Sequence, residues 1–316
     1  MHYARGSDQL KSPPFRSAVT IGNFDGLHVG HRAIIDTVVR RASQLGGQSV
    51  VVTFEPHPRK VLHPDRAPKL LTTIDQRVEL IAQAGIDIIV VEPFTEEFSR
   101  TSAETFIREI LYERIRPIEV YVGYDFHFGR DREGSMRLLT EMGPMLGFSV
   151  TIIPEVTVDA GDVNSTRLRK MLMEGRVEES FAMLGRSYTI RATIVAGDGR
   201  GREVGYRTAN LAQENEILPA PGVYAGRLRF LDDGEPAKGR EFLAVTNVGI
   251  RPTFGDENRL IAEAHLLDFD ADVYGRRIEL SFAHRLRPER RFADVDALRE
   301  QIAKDVEEGR RRLGAL

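Results

Sequence analysis

The chain has 316 residues, of which 41% are hydrophobic and 29% charged, with a net charge of −3 and no cysteine. That size allows two domains, each with its own core. The absence of cysteine excludes disulfides and thiolate metal sites, and no basic stripe with interleaved aromatics marks a nucleic-acid footprint. No run of about 18 apolar residues announces a membrane span, and the polar residues 1–14 lack the apolar core of a secretory signal. A cytoplasmic setting is therefore expected, with no nucleic-acid, membrane or obligatory protein partner. In that setting the glycosylation pattern at Asn164-Ser165-Thr166 carries no meaning.

Residues 17–21 form the first apolar run and predict a short buried strand. The turn Gly22-Asn23-Phe24-Asp25-Gly26-Leu27-His28-Val29-Gly30-His31 follows, opening an amphipathic helix over 31–45. Two imidazoles three residues apart thus stand at a helix N-terminus, where free N–H groups and the helix dipole favour a phosphate. Imidazoles donate hydrogen bonds to phosphoryl oxygens as charge develops on them, so the frame points to nucleotidyl transfer. A plain strand-turn-helix with a capping His28 and a surface His31 has the same spacing.

Further strands are predicted at 49–54, 87–91, 118–123 and 148–153, with helices at 75–84, 102–115 and 135–146. This alternation predicts an α/β doubly wound parallel sheet. In such sheets ligands sit beyond the carboxyl ends of the strands. Three segments start there: the turn after residue 21, Phe54-Glu55-Pro56-His57-Pro58, and Gly123-Tyr124-Asp125-Phe126-His127-Phe128-Gly129. His57 and Asp125 are expected to shape the site, although Asp125 also suits an Asx turn. Phe54, Phe126 and Phe128 are available to a flat ring.

Val163-Asn164-Ser165-Thr166-Arg167-Leu168-Arg169 then leads into a helical stretch ending near residue 174. Ser165 or Thr166 would cap that helix, or the loop brings hydroxyls and Arg169 onto phosphates.

Near residue 186 the pattern changes, dividing the chain into domains 1–185 and 186–316. Residues 188–196, 222–230, 241–248, 260–269 and 277–283 are β-rich, and an amphipathic helix closes the chain over 294–312. Five or six strands without crossovers suggest a small antiparallel barrel. The run Gly197-Asp198-Gly199-Arg200-Gly201-Arg202 precedes Gly205-Tyr206-Arg207-Thr208-Ala209-Asn210-Leu211. It is neither a P-loop, since no Gly-Lys-Ser/Thr occurs, nor a dinucleotide fingerprint, since no βαβ unit surrounds it. Its glycines allow close backbone approach to phosphates, and Arg200 and Arg202 add charge. A Gly/Arg-rich hairpin has the same composition. Strand alternation places Glu263, His265 and Leu267 on one face.

Taken together, these motifs resemble bacterial bifunctional riboflavin kinase/FMN adenylyltransferase, the FAD synthetase family. The first half resembles its nucleotidyltransferase-like part, through the histidine frame, Thr53-Phe54-Glu55-Pro56-His57-Pro58, the segment after Gly123, and Ser165-Thr166-Arg167-Leu168-Arg169. The second half resembles its riboflavin kinase module, a six-stranded barrel. It does so through Pro221-Gly222-Val223-Tyr224-Ala225, Asn247-Val248-Gly249-Ile250-Arg251-Pro252-Thr253, Glu263-Ala264-His265-Leu266-Leu267-Asp268-Phe269, Tyr274-Gly275 and Leu286-Arg287-Pro288-Glu289-Arg290-Arg291-Phe292.

The resemblance implies transfer of AMP from ATP to FMN in the first half and ATP-dependent phosphorylation of riboflavin in the second, with Mg²⁺ assisting. It implies His28, His31 and Glu263 as catalytic groups, Glu263 as the general base. Nucleotide binding would fall to Gly22, Asn23, Phe24, Asp25, Gly30, Asp125, Ser165, Thr166, Arg169, Gly197, Gly201 and Arg202. The metal would be held by Thr208 and Asn210. Three departures stand out. Asn164 replaces a Ser, Tyr206-Arg207 replace Phe-Pro, and Ala192 replaces a Gly. Proline would pre-shape the metal-binding turn, whereas Arg207 restores backbone freedom and adds a cation. The alternative is therefore an adenylyltransferase whose barrel is a weak or inactive kinase serving as a flavin-binding module.

Overall fold

Short apolar runs, rich in β-branched residues and bounded by turns, make strands buried on both faces. The computed structural model describes residues 1–159, 161–196, 205–232, 240–251 and 259–314. Its chain divides into two units, Met1–Lys69 with Ile74–Asn164 and Leu70–Thr73 with Ser165–Leu316.

In the first unit β1 (His2–Ala4), β2 (Ala18–Ile21), β3 (Ser49–Glu55), β4 (Ile88–Pro93), β5 (Glu119–Gly123) and β6 (Ser149–Ile153) form a parallel sheet in the order β1-β4-β3-β2-β5-β6. Alternate side chains feed two cores. Val19, Ile21, Val50, Val52, Val120 and Val122 face one side with Ile107 and Leu111. Ala18, Val51, Ile89, Val91 and Tyr121 face the other, against Ile35 and Val38 of α1 (Val29–Leu45). Each fully buried Val or Ile contributes about 1.5–3 kcal/mol.

The crossover helices are α1, α2 (Pro58–Leu62), α3 (Ile74–Gln83), α4 (Glu96–Ser99), α5 (Ala103–Thr105), which continues as a π-helix over Phe106–Ile115, and α6 (Met136–Met145). The chain leaves β2 toward β3 and β4, then returns to the opposite side of β2 for β5. The switch point therefore lies at the carboxyl end of β2, between β3 and β5, where such sheets take ligands. The edge strand β1, paired with β4, was not predicted. The ribbon β7 (Thr157–Val158) with β8 (Gly161–Asp162) completes the described strands of this unit.

In the second unit α7 (Ser165–Met173) and α8 (Val177–Leu184) precede the barrel. Its described strands are β9 (Tyr188–Val195), β10 (Ala209–Gln213), β11 (Gly222–Phe230), β12 (Glu241–Arg251), β13 (Arg259–Leu266) and β14 (Arg277–Phe282). They close through antiparallel pairings in the circuit β11-β12-β13-β10-β9-β14-β11, with β15 (His284–Arg287) added along β11. Closure removes free edges. The interior is lined by small and apolar groups such as Ala192, Ala244, Ala264, Tyr224 and Phe282, all with no exposed surface.

The closing helix α9 (Val295–Gly314) packs on the outside, where Val306 meets Val223, Val245 and Leu267. A Cβ on Gly309 would lie 3.0 Å from a Val245 methyl, so glycine sets this close approach. Arg287 donates to Asp305 of α9 through Nε and Nη2 at 2.8–3.0 Å, pinning the helix. Ala192 thus fits inside the barrel without displacing the strands around it.

Candidate functional site

The turn after β2 is shaped by its own strain. Phe24 and Leu27 hold φ of +50° and +36°, with Gly26 at +81° between them. Non-glycine residues persist there only when the surroundings hold them. Phe24 is 2% exposed and Asp25 is likewise buried in the turn. A Cβ on Gly22 would come within 3.1 Å of the Phe24 ring.

His28 does cap α1: its Nδ1 accepts the His31 backbone N–H at 3.2 Å. An imidazole that accepts at Nδ1 carries its proton on Nε2 when neutral. The cap therefore sets the tautomer and leaves Nε2–H as the donor. The His28 and His31 rings stack, with centroids 3.6 Å apart and planes 16° apart, and Phe24 meets His31 edge-on at 5.2 Å. Capping and phosphate recognition are thus compatible.

Gly30 sits where a Cβ would lie 3.1 Å from Nδ1 and 3.2 Å from Cε1 of His28, with the Val163 carbonyl at 3.6 Å. The segment leading toward Ser165 therefore passes the N-terminus of α1. Replacing Gly30 by alanine should push the His28 ring aside and lower the FAD formation that the resemblance implies about tenfold or more. Helix propensity favours alanine by about 1 kcal/mol, so thermal stability should hold. Unchanged FAD formation in Gly30→Ala would show that ring placement does not matter.

The other two loops reach the same sheet edge. Thr53 Oγ1 donates to the Asn23 carbonyl at 3.2 Å, tying the end of β3 to the histidine turn. A Cβ on Gly123, the last residue of β5, would touch Ile34 of α1 at 3.6 Å and Asp125 at 3.4 Å. Asp125 is exposed on a turn closed by the Phe126 N–H to the Gly123 carbonyl at 3.1 Å. Tyr124 donates to the Glu155 carboxylate, and that hydrogen bond holds the phenol up at about 12. His57 caps α2 by accepting the Arg59 N–H at 3.1 Å.

Two expectations need correcting. Phe54 and Phe128 are built into the core with Phe94, Phe98 and Phe106, so only Phe126, stacked on Phe128 at 5.4 Å, remains half-buried. Ser165 and Thr166 do not precede a helix as caps. They form the first turn of α7, because Leu168, Met171 and Leu172 bury a stripe that starts the helix at Ser165. Arg169 follows one turn on, in the second unit.

Arg77 was missed. This α3 residue is 1% exposed and links Asn23, Thr53, Phe54 and Glu55. Its signal was present, since Ile74, Arg77, Val78 and Ile81 share the apolar spacing of α3.

On the barrel, Asn210 of β10 lies directly opposite Glu263 of β13, and Asn247 of β12 lies opposite Glu263 on the other side. Cross-strand partners share a face with Cβ atoms about 5 Å apart. The row Asn210–Glu263–Asn247 runs across the outer face, all three half-buried, while Ala262 and Ala264 point inward. Thr208 precedes β10 in step with Asn210. Asn247 had not been singled out, because strand register alone brings it beside Glu263.

His265 Nδ1 hydrogen-bonds the Arg207 carbonyl at 2.8 Å, and its ring meets Tyr206 edge-on at 5.3 Å. The Arg207 guanidinium pairs with Asp270, so its charge is countered locally. Gly197, Gly201 and Arg202 lie outside the described residues.

A phosphate-favouring turn at the switch point of an open α/β sheet, joined to a closed barrel with a carboxylate on its outer face, defines a two-module transferase class. The chain belongs to the bifunctional riboflavin kinase/FMN adenylyltransferase family. The FAD synthetase family model matches residues 11–167 and the riboflavin kinase model residues 184–313. Proteins named bifunctional riboflavin kinase/FMN adenylyltransferase align along nearly the whole chain. Those from Buchnera aphidicola and Pseudomonas fluorescens are 34% and 36% identical, covering 97% of this chain in both cases and 97% and 96% of the relatives. A crystal structure described as a macrolide-efflux protein from Streptococcus pneumoniae superposes with a TM-score of 0.85 at 27% identity, covering 98% of each chain. The shared architecture is what that likeness carries. Among the described residues no helix is long and apolar enough to cross a membrane.

Proposed function

We propose that this chain makes FMN from riboflavin at the barrel and FAD from FMN at the histidine turn, consuming ATP at both sites. The observation that carries the assignment is the stacked His28–His31 pair at the N-terminus of α1, placed at the sheet's switch point. Functionally the division is residues 1–185 and 186–316, working in the cytoplasm without an obligatory protein partner.

In the first reaction an FMN phosphate oxygen attacks the α-phosphorus of ATP in line, and the bond to pyrophosphate breaks. No protein nucleophile is required. His28 and His31 donate to phosphoryl oxygens as charge builds on them, and the α1 N-terminus adds its dipole. Gly22, Asn23, Phe24, Asp25 and Gly30 shape this cradle and Asp125 borders it; the resemblance adds Ser165, Thr166 and Arg169 as nucleotide-binding residues.

In the second reaction Glu263 accepts the proton of riboflavin's terminal ribityl hydroxyl as that oxygen attacks the γ-phosphorus, releasing ADP. Gly197, Gly201 and Arg202 cradle the nucleotide phosphates. Thr208 and Asn210 would hold Mg²⁺. Their oxygen donors beside a carboxylate suit a hard cation that keeps several waters and binds mainly through substrate phosphates. When bound, the ion neutralises charge on the phosphates.

Purified protein supplied with riboflavin, ATP and Mg²⁺ should release ADP as FMN forms and pyrophosphate as FAD follows. Riboflavin left unchanged, or FMN that never becomes FAD, would refute the assignment. Because His265 already pins the Arg207 carbonyl, Arg207→Pro should change riboflavin phosphorylation by less than about threefold, adding at most about 1 kcal/mol of stability. A tenfold rise would instead mark the barrel as a poor kinase.

A further inference from the structure

We propose that Arg77 is the positioning residue of the adenylylation site, locking the phosphate-binding turn to the end of β3. The proposal rests on the assignment of His28 and His31 to that reaction. The Arg77 Nη1 donates to the carbonyls of Asn23 at 3.0 Å and Phe54 at 3.1 Å, and lies 3.4 Å from the Thr53 hydroxyl. Its Nη2 donates to the Glu55 carboxylate. The Asn23 carbonyl also accepts from Thr53, so two side chains hold it.

That carbonyl begins the peptide that leads into Phe24, the first left-handed residue of the strained turn. Fixing it sets the course of the chain through Leu27 to His28. A planar guanidinium reaches several acceptors at fixed spacing, which neither a single amine nor an alkyl chain does. Stability alone is a weak reason for the residue. A buried ion pair is often no more stabilising than a well-packed apolar side chain, and the Arg77 Nε–H finds no acceptor among the described residues. Geometry is what the fork supplies.

The full chain is assayed as wild type, Arg77→Met, Arg77→Lys and His28→Ala. Pyrophosphate release from FMN plus ATP, ADP release from riboflavin plus ATP, and the melting temperature are measured for each. Arg77→Met should lower kcat for adenylylation about tenfold or more while KM for ATP moves less than about threefold. Arg77→Lys should fall between wild type and Arg77→Met, and both should phosphorylate riboflavin within about twofold of wild type. If Arg77→Met does not fold, Arg77→Lys decides: kcat for adenylylation below half of wild type supports the proposal. A deciding variant that keeps wild-type kcat, or one whose whole effect is on KM, overturns it. A fully active His28→Ala sinks the site and the Arg77 proposal together. An impaired His28→Ala beside a fully active Arg77→Met overturns the Arg77 proposal alone.

Discussion

FAD formation from FMN and ATP should fall by about 10³-fold or more when His28 and His31 are both replaced by alanine, while FMN formation from riboflavin stays within about twofold. Removing one preorganised donor to developing charge costs about 10²–10³ in rate, and this change removes two that lie stacked against each other. It also removes the α1 cap, at a cost of about 0.5–2 kcal/mol. Melting temperature must therefore be measured alongside, and His28→Asn serves as a control that keeps a capping acceptor without the imidazole. Should FAD formation survive in a folded double variant, the imidazoles do not carry the transfer.

The reciprocal lesion is Glu263→Ala. A positioned general base contributes about 10²–10⁴ to a proton-transfer step, so riboflavin phosphorylation should drop by that factor. Supplied FMN should still become FAD at the wild-type rate. Glu263 stands half-buried on the outer face between Asn210 and Asn247, away from the packed interior, so the barrel should remain closed. A near-normal rate of FMN formation would remove Glu263 from the chemistry and leave Asn247, Thr208 and Asn210 to explain it.

The histidine frame, the five strands β2 to β6 and the long crossover helices were legible because their signals are local. Apolar runs with turn residues at each end announce buried strands, and α1 and α9 carry their stripes over many turns. The edge strand β1 was not legible, since His2-Tyr3-Ala4 is three residues long and pairs only with β4. Neither was β10, where Ala209-Asn210-Leu211-Ala212-Gln213 lacks β-branched residues and takes its strand character from pairing with β9 and β13. With β10 went the register that sets Asn210 opposite Glu263 and completes the row with Asn247.

Arg77 escaped for a related reason. A charged residue in an amphipathic helix ordinarily reads as solvent-facing, and only tertiary packing reveals that its acceptors come from the turn after β2 and from β3. Arg207 drew attention as a missing proline, yet what holds that segment is His265, 58 residues away in sequence. Local rules find the elements here. Long-range register assembles the chemistry.

Two chemically independent sites in one chain should be separable and also complementary. The most direct test mixes equimolar His28→Ala/His31→Ala protein with Glu263→Ala protein and supplies riboflavin, ATP and Mg²⁺. Each variant alone should fail to make FAD, and the mixture should make it, with FMN passing through solution from one protein to the other. A mixture that stays as inactive as its components would contradict the division of the two reactions between the histidine turn and the barrel carboxylate.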